Sequence, residues 1–115
     1  MATLAKIREN AAETLKLKGE GVSLASYHSA DMTEAYTEVY AELQGLDLTS
    51  WGSTDDVPDK FSWSVSALMA ARRVSTYNVP DELYQRIKLD EVSAMARIRE
   101  LQAPAKMGAT EIENF

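Results

Sequence analysis

Glu34, Glu38 and Glu42 stand four residues apart, so in a helix their carboxylates share nearly one side of it. A row of carboxylates can hold a metal, move protons or meet cations. The iron and manganese sites of helical bundles need a Glu-x-x-His pair, which this row lacks, so no metal is expected here. Like charges at this spacing cost a few tenths of a kcal/mol per pair in an isolated helix. Two readings remain: a solvated acidic face, and an acidic face that meets a basic face on a neighbouring subunit. Arg72, Arg73, Arg97 and Arg99 are the candidate basic partners, because a guanidinium fork can hold a carboxylate with two parallel hydrogen bonds.

Other chemistry finds less support. His28 is the only histidine, beside Tyr27 and Ser29 in a stretch read as a loop, and no nucleophile-elbow pattern accompanies it. No cysteine is present, which removes disulfides, thiolate metal sites and cysteine nucleophiles and fits a reducing compartment. Gly19-Glu20-Gly21 lacks the third glycine of a phosphate-cradling loop, and no Gly-Lys-Ser or Gly-Lys-Thr step occurs. Tyr36, Tyr40, Tyr77 and Tyr84 fall at helical spacing and read as core or interface aromatics, since base stacking would need a basic groove alongside. The expectation is a protein without catalytic residues, cofactor or metal.

The elements that position these residues follow from periodicity. Leu4, Ile7, Ala11 and Leu15 recur at three and four, predicting a helix over 3–18 capped by Thr3 and ended by Gly19 or Gly21. Gly19 to Ser29 reads as a loop. Met32, Ala35, Tyr36, Val39 and Leu43 predict a second helix over 30–44, with Gly45 just past its end. A turn-rich stretch from Leu46 leads to Asp55-Asp56-Val57-Pro58 and a third helix over 57–76, whose apolar face holds Phe61, Val65, Leu68 and Met69. Pro80 opens a fourth over 80–102, about 33 Å long, lined by Leu83, Tyr84, Ile87, Ala94, Met95, Ile98 and Leu101 and ended by Pro104. The fold class is therefore all-α: a small bundle of four helices, or five, with residues 1–102 as the helical domain and 103–115 as an extended C-terminal tail. Within the tail, Ile112 and Phe115 are apolar in a way that solvation alone does not require, so the tail is a candidate tether.

At 115 residues and 45% hydrophobic content, one domain with a modest core is expected, and assembly with neighbours would add stability. The net charge of −6 argues against broad nucleic-acid binding, which needs clustered Lys and Arg. The acidity is concentrated: residues 19–60 hold nine of the eighteen acidic side chains and one of the twelve basic ones. Charges interleave with apolar residues from Met1 to Gly19, unlike a signal peptide, and no run reaches the length of a membrane span, so a soluble protein is expected.

The order of features resembles a known family, the small head-completion or head-to-tail adaptor proteins of tailed bacteriophages. The likeness is carried by Ile7-Arg8-Glu9-Asn10-Ala11-Ala12-Glu13, by Ala35-Tyr36-Thr37-Glu38-Val39-Tyr40-Ala41-Glu42-Leu43, and by Val57-Pro58 opening a helix that ends near Ala71-Arg72-Arg73. It continues through Tyr84-Gln85-Arg86-Ile87 and Ile98-Arg99-Glu100-Leu101, and so covers nearly the whole chain. None of these is a chemical signature; their order and spacing make the resemblance. It implies a structural subunit that joins a ring, commonly of twelve, beneath the portal in the neck of the virion, assembled in the host cytoplasm. Its partners would be itself, the portal protein and tail or nozzle proteins, with no membrane. DNA would pass through the ring without sequence-specific binding, and negative walls would not grip its phosphates. The resemblance gives the tail, with Pro104, Lys106, Ile112 and Phe115, the role of reaching the portal. The alternative is a small intracellular regulatory helical protein, antitoxin-like, that binds one partner chain.

Overall fold

A computed structural model of the chain describes residues 3–17 and 25–114, with the side chains of the last helix described as far as Leu101. Four helices follow in order: α1 (Leu4–Thr14), α2 (Ser26–Gly45), α3 (Asp59–Arg73) and α4 (Asp81–Asn114). The all-α bundle expected from the spacing is what forms, and no strand occurs among the described residues.

α3 organises the bundle. Every residue from Ser64 to Ala71 is buried, so this helix presents apolar or small side chains all round rather than along one stripe. It packs against α1, α2 and α4, while α1 also packs against α2. Ser64, Ser66, Ala67, Ala70 and Ala71 keep its girth small enough for three neighbours to approach. Ser66 Oγ donates to the Ser62 carbonyl at 2.9 Å, which satisfies its hydroxyl inside the core. The sequence predicted a one-sided helix because Phe61, Val65, Leu68 and Met69 share one face, with Trp63 off that face and half exposed.

α1 and α2 end by the same device, and in neither does glycine take the expected place. Lys16 has φ 63° and Asp47 φ 58°, both left-handed. Leu17 N–H donates to the Ala12 carbonyl at 2.9 Å and Lys16 N–H to that of Glu13 at 3.0 Å. Leu48 N–H donates to Leu43 at 2.8 Å and Asp47 N–H to Gln44 at 3.0 Å. These paired bonds are the Schellman closure, usually built on glycine. α1 therefore stops at Thr14, short of 18, and Gly45 is the last residue of α2 rather than its terminator. Buried Leu48 packs with buried Leu43 in one core, the apolar contact that accompanies such an ending.

α2 begins at Ser26 instead of 30, on an Ala25 that makes no side-chain cap, so His28 lies in a helix and not in a loop. Pro58 and Pro80 stand immediately before α3 and α4 rather than inside them, and their carbonyls accept from Phe61 and Tyr84 at 2.9 Å. The segment joining α2 to α3 is held by Trp51, which sits in the core at 8% exposure. Its indole donates to Tyr36 Oη at 3.1 Å, and Tyr40 Oη donates to the Trp51 carbonyl at 2.7 Å. Tyr36, Tyr40, Trp51 and Phe61 form a chain of rings with successive centroids 6.2, 6.1 and 5.2 Å apart. Tyr36 and Tyr40 are thus core aromatics, Tyr77 is half-buried and Tyr84 is exposed.

α4 folds back on α3 after a connection over 74–80 and buries Ile87, Ala94 and Ile98. The boundary predicted at Pro104 differs: the backbone of 103–114 continues α4 to Asn114. A proline inside a helix forfeits one hydrogen bond and costs about 3 kcal/mol, but Ala103, Ala105, Lys106, Met107 and Ala109 around it are good helix formers. At 34 residues the helix is about 51 Å long, close to the 53 Å longest dimension of the molecule, and it outruns the other three.

Candidate functional site

The acidic row on α2 and the two arginines that end α3 meet within one chain. Arg72 Nη2 donates to Glu42 Oε2, and its Nε lies 3.8 Å from Glu38. Arg73 Nη2 donates to Glu38 Oε2 at 3.0 Å and lies 3.9 Å from Glu34. Arg73 Nε sits 3.0 Å from Asp31 without the alignment of a hydrogen bond, so that contact is an ion pair alone. Asp31 also accepts from Tyr77 Oη at 2.5 Å, which ties the connection after α3 to the start of α2. The sequence reading left two places for Glu34, Glu38 and Glu42: a solvated acidic face, or a face that meets arginines of a neighbouring subunit. For Arg72 and Arg73 the correction is that α2 and α3 pack side by side, which brings these arginines to the same carboxylates within one chain.

The seam has a graded interior. Arg73 is 14% exposed and Arg72 33%, while Glu42 is 52% and Glu34 70% exposed. Loss of hydration works to lower the Arg73 pKa, but the bond to Glu38 and the charges of Asp31, Glu38 and Glu34 outweigh it, and the net direction is up. Burial, then donation to Asp31, pushes the Tyr77 phenol up to about 12. With four carboxylates against two guanidiniums and a protonated phenol, the seam keeps a negative excess on the α2 side. Its geometry is that of a charge lock. Among the described residues no group of three His, Cys, Asp or Glu side chains could hold a metal ion.

Arg97 and Arg99 do not join this seam. Both are exposed on α4, and being two residues apart they point to different sides of that helix. Arg99 lines an open groove of about 470 Å³ with Glu42, Leu68, Val92, Met95 and Ala96, where α2 and α4 flank α3. The tail side chains Pro104, Lys106 and Ile112, and Phe115 altogether, lie outside the described residues. The His28 ring lies tilted by 55° to that of Tyr27 at 4.1 Å and edge-on to Tyr77 at 5.5 Å, and its Nδ1 is buried without a hydrogen-bond partner among the described residues.

The sequence reading missed Asp31 and Tyr77 as members of the seam, and Leu89 and Val92 as surface features. Leu89 is 70% and Val92 69% exposed on α4, Val92 at the rim of the groove over Leu68. A signal for them exists: both lie off the stripe of Ile87, Ala94 and Ile98 by more than a quarter turn. No helix among the described residues is long and apolar enough to cross a membrane. No protein-family model, no curated protein and no solved structure matches this chain.

Proposed function

We propose that this chain is a structural subunit whose activity is assembly: a head-to-tail adaptor that forms a ring of about twelve copies beneath the portal of a tailed bacteriophage. The ring extends the DNA channel, helps retain the packaged genome and offers a docking surface to tail or nozzle proteins. The observation that supports assembly is α4, whose backbone outruns the rest of the bundle. The order of motifs along the chain supports the choice of adaptor among assembly proteins, and the excess of carboxylates over arginines at the α2–α3 seam suits a wall past which DNA slides.

The test is the mass of the complex formed with the portal protein of the same phage, against the mass of each alone. An added mass of one copy per portal subunit is the expected result. No association, with a stable monomer or one-to-one complex with another chain, would overturn the adaptor reading in favour of a regulatory one. Glu38→Lys and Glu42→Lys are poor probes of the ring, because both carboxylates hold arginines of their own chain.

A further inference from the structure

The exposed face of α4 carries Gln85, Leu89, Val92, Ala96 and Arg99, spaced alternately four and three apart, with Val92, Ala96 and Arg99 at the rim of the groove over Leu68. That is the spacing of a two-stranded coiled-coil seam, with Leu89, Val92 and Ala96 as its apolar members, on a helix whose opposite side is already committed to the core. We infer that α4 pairs through this stripe with α4 of a second copy of the chain, antiparallel, about a two-fold axis near residue 94.

Charge selects the occupant and its direction. In the antiparallel register Val92 faces Ala96 of the second copy, and Leu89 faces the stem of Arg99, whose guanidinium leaves toward water. The flanking Arg86 then comes opposite Glu100 of the second copy, and by symmetry the pair occurs twice. Arg86 and Glu100 are both exposed, and each is available to a partner. A parallel, in-register pair would instead stack Arg99 on Arg99 at the centre of the seam. Met95, half-buried beside the stripe, meets its own copy at the dyad and widens the contact toward the groove.

The contact runs for about 22 Å of helix and falls in the class of interfaces below about 1,200 Å², so it is a weak dimer that forms as concentration rises. It does not rest on the adaptor reading. An isologous contact closes at two copies and builds no ring. Portal binding and self-pairing are measured separately, and either can fail alone.

Sedimentation equilibrium of the free protein, up to about 1 mM, is expected to pass from monomer to dimer mass. Leu89→Glu combined with Val92→Glu should weaken the dimer by at least about tenfold while circular dichroism stays unchanged, since neither side chain is in the core. Arg86→Glu should weaken it by less, and adding Glu100→Arg to that variant should restore it. A monomer at every concentration overturns the pairing and leaves the stripe to a different chain. A dimer indifferent to Leu89→Glu with Val92→Glu overturns it as well, and a dimer that the charge exchange fails to restore overturns the antiparallel register.

Discussion

The α2–α3 seam and the outer face of α4 each gather side chains that are unfavourable alone. At the seam, Asp31, Glu34, Glu38 and Glu42 repel one another, and Arg72, Arg73 and Tyr77 of the same chain answer them. On α4, Leu89 and Val92 face water, and nothing described in the chain covers them. The first surface is closed by the fold and the second is open. Charge along a chain is therefore a poor guide to where a subunit meets its neighbours, because opposite charges find each other inside the fold, whereas an apolar stripe opposite the core has no such recourse.

The contrast is sharpest between the two sides of α4. Ile98→Ala, in the core, should lower stability by about 2–5 kcal/mol in urea denaturation, whereas Val92→Ala should stay within about 0.5 kcal/mol. Equal losses would mean that the outer face is covered within the monomer. At the seam, Arg73→Ala removes the more buried guanidinium and leaves Asp31 to Tyr77 and Glu38 to the longer Arg72 contact, for an expected loss of about 1–3 kcal/mol. Arg72→Ala, with a third of its side chain exposed, should cost no more than about 1 kcal/mol. If the two arginines prove interchangeable, the seam is a surface array rather than a lock.

Tyr77 gives the seam an alkaline limit. Its phenol titrates near 12 in the fold against 10 when unfolded, so the folded state favours the protonated form. That contribution is fully present below pH 10 and is lost as the pH rises from 10 toward 12. Denaturation midpoints measured across this window should fall more steeply for the native chain than for Tyr77→Phe. The helix ends offer a modest gain: Lys16→Gly should raise stability by about 0.5–1 kcal/mol in urea denaturation, since glycine takes φ 63° without steric strain.

Sequence periodicity revealed four helices because Ile7, Ala11 and Leu15, or Met32, Ala35, Tyr36 and Val39, repeat at helical spacing whatever their partners. It misplaced boundaries where backbone geometry overrode residue preference, as where Lys16 and Asp47 take left-handed positions that glycine would fill. It took α3 as one-sided because burial of Ser64, Ser66 and alanines depends on how many neighbours surround a helix, which composition does not encode. The acidic row and its arginines were visible as a set. That they satisfy one another within the chain follows only from α2 and α3 lying side by side.

One consequence of α3's central place concerns how the molecule opens. Among the described residues α4 packs chiefly on α3, whereas α1, α2 and α3 each touch the other two. Three mutually supporting helices form one cooperative unit, and the fourth is attached through a single contact face. In native-state hydrogen exchange, amides of α4 should therefore exchange through a partial opening that spares α1, α2 and most of α3. A detachable strut on a stable tripod can be released and re-seated without refolding the rest of the molecule.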